Sequence, residues 1–248
     1  MLRDAAKRAV AGTRLEPWAR RLWRSIGRRQ SVDDRAALYD RQTIEIMRRV
    51  LSRDSNCVDV GAFKGEILAE MLAIAPEGHH MAFEPLPHRA AELRQRFPSV
   101  DIFEAALADE TGRLPFRHVL HEEAYSGFFR RPYDSYDEHV EMIEVDVIRL
   151  DDVVPLLFRP RFMKVDVEGS EAKVFSGGLD TIRRSRTFIV YESGWDPPAS
   201  FEVLSEGAGL RLSLLGDWLA GKGPLSRQQF LDEALGGRHY YFLAYPEA

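Results

Sequence analysis

The feature that most constrains this chain is the stretch Asn56-Cys57-Val58-Asp59-Val60-Gly61-Ala62-Phe63-Lys64-Gly65. Its apolar part has the length of a buried strand, and the glycines after it let the backbone turn tightly and enter a helix. The next apolar run, Met81-Ala82-Phe83, ends in Glu84. A strand, a glycine turn and an acid closing the following strand form the arrangement with which α/β proteins hold a nucleoside, the carboxylate accepting hydrogen bonds from the ribose. The spacing Gly61-x-x-x-Gly65 differs from the G-x-G-x-x-G that grips a pyrophosphate. A ligand with a ribose and no phosphates satisfies both facts, and S-adenosylmethionine is one. Asp59, charged within a buried strand, is costly unless paired, and beside the turn it can bond the turn's amides or a ligand's amino group.

Beyond this stretch, strands and helices alternate. Strands are expected near 56–60, 79–83, 100–104, 161–166 and 187–192, with helices near 64–74, 87–97, 170–183 and 199–207. Such alternation builds a Rossmann-like α/β fold, a mostly parallel sheet with helices on both faces and ligands at the carboxyl ends of its strands. Two segments break the rhythm. Residues 113–149 read as a strand near 113–118, a polar and aromatic loop, and an alternating run over 142–148, an insertion or extra strand pair. Residues 211–215 and 240–244 read as two further strands flanking a helix over 226–235, an antiparallel pair that ends the sheet.

Residues 1–30 carry nine Lys and Arg against Asp4 and Glu16. Trp18, Leu22 and Ile26 recur every four residues, so a basic amphipathic helix is expected. It would pack its Trp face on the domain or on a second copy, a homodimer through the N-terminal helices. Ser31 and Asp34 suggest a capping box opening a helix over 32–51, with Ile44, Met47 and Leu51 on one face. The division expected is an N-terminal helical extension over 1–52 and one α/β domain over 53–248. A net charge of −5 argues against a nucleic-acid partner. Cys57, the one cysteine, rules out an internal disulfide and reads as a small buried hydrophobe. No apolar run reaches the roughly 18 residues of a transmembrane segment, so a cytoplasmic protein is expected.

Three further groups could carry chemistry. In Phe162-Met163-Lys164-Val165-Asp166-Val167-Glu168-Gly169-Ser170-Glu171, period two would put Lys164, Asp166 and Glu168 on one side of a strand. Carboxylates and an ammonium at a strand's end can orient a nucleophile, take its proton or hold a divalent metal, whereas Glu171 reads as a helix-terminus acid. Tyr191-Glu192 ends the next strand, which would lie beside the Asp166 strand, and Glu192 is a candidate substrate contact. The loop 118–139 holds His118, His121, Glu122, Glu123, Tyr125, Ser126, Arg130 and Arg131. It reads as a substrate-covering loop, with Tyr125, Ser126 and Arg130 as contacts, rather than as a zinc site built on His118 and His121, which lack a third ligand at fixed spacing.

In order, Val58-Asp59-Val60-Gly61-Ala62 with Gly65, Phe83-Glu84-Pro85, Leu150-Asp151-Asp152, Lys164 to Glu171 with Gly177-Gly178, and Tyr191-Glu192 resemble the FkbM-type family of S-adenosylmethionine-dependent methyltransferases. The resemblance covers about residues 55–215 and implies a seven-stranded α/β sheet and methylation, usually on oxygen, of sugars or secondary metabolites. It would set the cofactor against Asp59, Gly61, Ala62, Phe63, Gly65, Glu84, Pro85, Ala106 and Asp166. Phe63-Lys64 departs from the family's usual Asn and small residue, next to the cofactor's methionine portion.

For a hydroxyl acceptor, Asp166, Glu168 or a metal held by them would remove the proton, with Lys164 as the third catalytic group. A carboxylate acceptor would need no base and would want the cations Lys164, Arg130 and Arg131. A nicotinamide-dependent oxidoreductase shares the sheet but lacks support in the missing third glycine. A catalytically inert nucleoside-binding scaffold is the remaining alternative.

Overall fold

The structure, a computed structural model, describes residues 35–129 and 139–247. The basic helix expected over 1–30, the Ser31–Asp34 cap, Arg130 and Arg131 lie outside the described residues. The chain divides into two units, residues 1–41 and Gln42–Ala248. Of the first, only 35–41 is described, as the start of a helix that runs to residue 50. Within the second unit this helix buries Thr43, Ile46 and Met47, while Ile44 and Leu51 are only half-buried. The buried stripe is thus rotated from the expected Ile44–Met47–Leu51 face.

Seven strands form the main sheet: β1 (Asn56–Val60), β2 (His80–Phe83), β3 (Asp101–Phe103), β7 (Pro160–Val165), β8 (Phe188–Glu192), β9 (Arg211–Leu214) and β10 (Tyr241–Tyr245). Their order across the sheet is β3-β2-β1-β7-β8-β10-β9. β1, β2, β3, β7 and β8 are mutually parallel, and β10 runs antiparallel to β8 and β9. The central strands are near-continuous apolar runs, as strands covered on both faces must be. Val58, Val60, Met163, Val165, Ile189 and Tyr191 share one buried cluster. From β1 the chain steps outward to β3, then returns to lay β7 on the other side of β1. The strand order reverses there, and in open α/β sheets ligands bind at the carboxyl ends beside such a switch point.

The expected insertion is a second sheet of β4 (Ala106–Leu107), β5 (Gly112–Val119) and β6 (Val140–Ile148), in the order β4-β6-β5. β5 and β6 pair antiparallel from Gly112–Val147 to Val119–Val140. Phe116, Val145 and Val147 pack with Ala106 and Leu86 in a separate small core.

Two helices depart from expectation. The helix expected over 170–183 is two, Glu171–Gly177 and Leu179–Ser185. The break falls at Gly178, and Asp151 accepts hydrogen bonds there from the backbone N–H of Asp180 at 3.1 Å and Thr181 at 2.8 Å. Asp151 of the Leu150-Asp151-Asp152 motif therefore serves as a remote helix cap. The helix expected over 199–207 is a short α-helix, Pro197–Phe201, running into a π-helical turn, Glu202–Gly207. Among the described residues no helix is long and apolar enough to cross a membrane.

Candidate active site

The glycine turn is built at the end of β1. The N–H groups of Gly61 and Ala62 donate to the Phe83 carbonyl at 2.9 and 3.2 Å, and the Asp166 N–H donates to the Val60 carbonyl at 3.0 Å. Gly61 has φ 75°, and a Cβ there would lie 2.0 Å from the Asp166 carbonyl oxygen. The turn and the Asp166 segment thus approach within a distance that glycine alone allows. Gly65 shares φ 75°, but its added Cβ would meet the side chains of Phe97 and Leu93. Between them Phe63 adopts φ 49°, its ring 5.0 Å from the Lys64 ammonium and 5.1 Å from the Arg89 guanidinium.

Glu84 is buried at the end of β2 and closes the turn from the other side. One carboxylate oxygen accepts the Phe63 N–H at 2.8 Å and the other the Leu86 N–H at 2.9 Å. Burial raises its pKa, against the pull of these two donors. Each oxygen keeps acceptor capacity for a further donor such as a ribose hydroxyl. Pro85 follows directly. Ala106, by contrast, sits in the small sheet's core beside Leu86.

In the β1–β7 register Asp59 faces Lys164, and both are buried. Burial lifts the Asp59 carboxyl to about 6, against the attraction of Lys164. The Lys164 ammonium lies 2.9 Å from Asp166 Oδ2. Burial would lower its pKa, but Asp166 and Asp59 together hold it above the usual lysine value. Asp166 Oδ2 also accepts the Tyr241 hydroxyl. Burial disfavours the ionised Asp166, yet the Lys164 ammonium, hydrogen bonding with Glu192 and the Tyr241 hydroxyl hold its carboxyl far below the ordinary range. Tyr241 lies opposite Glu192 in the β10–β8 register.

Period two does not carry Glu168. The strand ends at Val165, and Glu168 has φ 57°, a left-handed conformation uncommon for a non-glycine residue and often found at functional sites. The turn itself nevertheless brings carboxylate oxygens of Asp166, Glu168 and Glu192 within 4.8 Å of one another. Three such oxygens suit a hard divalent cation. Glu171 instead accepts the Gly169 N–H at 3.0 Å, and burial lifts its carboxyl to about 7. It braces the turn, in keeping with a structural role.

The loop after β5 borders this acid group. A Cβ on Gly127 would lie 3.0 Å from Glu168 Cβ, and the Phe129 and Trp195 rings are 6.3 Å apart. Gly127 pairs with Arg117, and the Ser126 hydroxyl oxygen accepts the Val119 N–H at 3.0 Å. Tyr125 ends a 3-10 turn, Glu123–Tyr125. The structure thus gathers Asp59, Gly61, Phe63, Glu84, Lys164, Asp166, Glu168 and Glu192 along the ends of β1, β2, β7 and β8. Tyr241 was missed by sequence reasoning. Its signal, a polar-tipped aromatic opening the last apolar strand, gains meaning only once β10 is known to lie beside β8.

The description "Methyltransferase FkbM domain" matches residues 59–219, which contain nearly all of these groups. The 2-O-methyltransferase NoeI of Sinorhizobium fredii is 28% identical over 169 residues, 60% of this chain and 69% of that protein. The solved structure of methyltransferase FkbM from Methylobacillus flagellatus KT shares the fold with a TM-score of 0.51 at 17% identity. That match covers 79% of this chain and 44% of the other, so this chain spans less than half of that protein's length. On the extent of the domain match, the chain belongs to the FkbM methyltransferase family.

Proposed function

We propose that this protein transfers a methyl group from S-adenosylmethionine to a hydroxyl oxygen of a sugar or other small molecule. The observation that carries the reading is the Asp166 carboxylate, bonded by Lys164 and Tyr241 and flanked by Glu168 and Glu192, beside the turn closed by Glu84. Four carboxylates at these strand ends suit a ligand that is cationic and unphosphorylated, and Glu84 retains acceptors for a ribose. The name of the 28%-identical relative specifies oxygen as the methylated atom. Family membership weighs against the nicotinamide alternative.

S-adenosylmethionine supplies a methyl group already activated on a sulfonium. The protein's part is alignment and proton removal, and alignment alone contributes on the order of 7–11 kcal/mol. A carboxylate held as low as Asp166 is a weak proton acceptor. Asp166 therefore orients the acceptor hydroxyl, with Lys164 and Tyr241 fixing its charge. Glu168 takes the hydroxyl proton as the oxygen–methyl bond forms. The loop bearing Tyr125 and Ser126 covers the acceptor.

The test is incubation with methyl-labelled S-adenosylmethionine and a panel of sugars, phenols and small carboxylic acids. Labelled methyl ethers are expected. Glu168→Gln should lower kcat by about 100-fold or more while leaving S-adenosylhomocysteine affinity within about twofold. Methyl esters formed equally well by Glu168→Gln would establish the carboxylate alternative instead. A folded protein that binds no S-adenosylhomocysteine would refute the cofactor assignment.

A further inference from the structure

We propose that His88, His118 and Glu123 form a binding site for zinc or a divalent ion of like preference, separate from the carboxylates at the strand ends. The three residues come from different elements: the first turn of the helix Pro87–Arg96, the end of β5 and the 3-10 turn Glu123–Tyr125. One ligand atom from each lies within 4.8 Å of the others. Glu123 Oε1 is 3.2 Å from His88 Nε2 and 3.7 Å from His118 Nε2. Zinc bonded at about 2.1 Å in tetrahedral geometry sets neighbouring ligands about 3.4 Å apart. These two edges therefore need shifts of only a few tenths of an ångström to accept the ion.

Two further observations favour a cation. Among the described residues His118 Nε2 is buried without a hydrogen-bond partner, and such a group normally finds one. A plain ion pair between His88 and Glu123 would leave that nitrogen unsatisfied, whereas a metal would bind it. The carboxylate is also oriented from behind. Arg89 donates to Glu123 Oε2 from Nε at 2.7 Å and lies 2.6 Å away through Nη2, so Oε1 faces the imidazoles. The Arg89 charge is offset by Glu92 at 2.6 Å. Outer hydrogen bonds of this kind fix a ligating carboxylate. Two imidazoles and one carboxylate suit zinc better than magnesium or calcium, and three protein ligands leave one position for water.

The consequence is mechanical. Glu123 belongs to the loop that borders Glu168, and His88 opens the helix that follows Glu84. A bound ion would pin the loop to the nucleoside side of the domain.

The test strips the full-length protein with a chelator, reloads it with zinc, removes free metal and measures metal content by mass spectrometry. Cobalt loaded in place of zinc reports tetrahedral nitrogen–oxygen coordination by its visible absorption. The wild type should hold one ion per chain. His88→Asn and His118→Asn should each bind at least about 10-fold more weakly. Glu192→Gln and His121→Asn, the latter altering the His121–His139 ring pair, should bind as wild type does. Should His118→Asn fail to fold, His88→Asn decides alone, because its side chain is 45% exposed. No stoichiometric zinc in the wild type, wild-type binding by His88→Asn, or loss in Glu192→Gln or His121→Asn would each overturn the proposal.

Discussion

Replacing Gly61 by alanine separates two costs that the turn imposes. The residue has φ 75°, and the added Cβ would lie 2.0 Å from the Asp166 carbonyl oxygen and 3.0 Å from its carbon. The left-handed conformation costs a residue with a Cβ about 1–2 kcal/mol. The collision falls on backbone that itself pairs with Val60, so relief requires moving β7's end, an overpacking cost of about 1–3 kcal/mol. The total is about 2–5 kcal/mol, a fall in Tm of roughly 4–20 °C for a domain of this size. Gly65→Ala is the control. It shares φ 75°, but its Cβ would meet Phe97 and Leu93 side-chain atoms at 2.5 and 2.8 Å, which can rotate away. Chemical denaturation of both variants should show Gly61→Ala the less stable by about 1–3 kcal/mol. Gly61→Ala should also weaken S-adenosylhomocysteine binding, because displacing the turn unseats the Phe63 N–H from Glu84. Equal or greater destabilisation by Gly65→Ala would refute the argument that the Asp166 carbonyl makes Gly61 obligatory.

Asp59→Asn tests the buried carboxyl through pH. Its pKa is raised from 3.8 to about 6 in the fold, so the folded protein holds this proton more tightly than the unfolded chain. The stability this group contributes is full below about pH 4 and lost as pH rises through about 6, a change of roughly 3 kcal/mol. The stability of Asp59→Asn relative to wild type should therefore rise between pH 4 and 7, and a difference that stays flat in urea titrations across that range would contradict the assignment. Tyr241→Phe removes the hydroxyl that donates to Asp166 and should cost about 1.5–3 kcal/mol, as expected for a hydrogen bond to a charged group. An unchanged denaturation midpoint would show that the bond contributes nothing.

Most of the framework was legible because the central strands are written as apolar runs of strand length, each closed by an acid or a glycine. Glu84, Asp166 and Glu192 stand where those runs end, and Asp59 and Lys164 are charges set within them, so local pattern alone brought all five forward. What the sequence hid depends on pairing at a distance. The carboxylates of Asp166, Glu168 and Glu192 meet through a left-handed turn at Glu168, where a continuous strand was expected. Asp151 caps a helix that begins at Leu179, and its sequence neighbours give no hint of that partner. His118 and His121 drew attention as sequence neighbours, whereas the structure brings His118 to His88 instead. Such contacts follow from sheet order, which periodicity does not specify.

β10 is the last strand in sequence, yet it sits between β8 and β9 in the sheet. Among the described residues the edge strand β9 pairs only with β10, so it has no partner in the sheet until β10 is in place. The pairing of Tyr241 with Asp166 spans 75 residues and depends on that same strand. Contacts of such long range form slowly, because loop closure must precede any gain from them. Without β10 Asp166 would keep its Lys164 partner, two residues back in the chain, and lose the Tyr241 hydroxyl. Loss of β10 would therefore do two things at once, uncovering the β8 edge and removing the Tyr241 hydroxyl from Asp166.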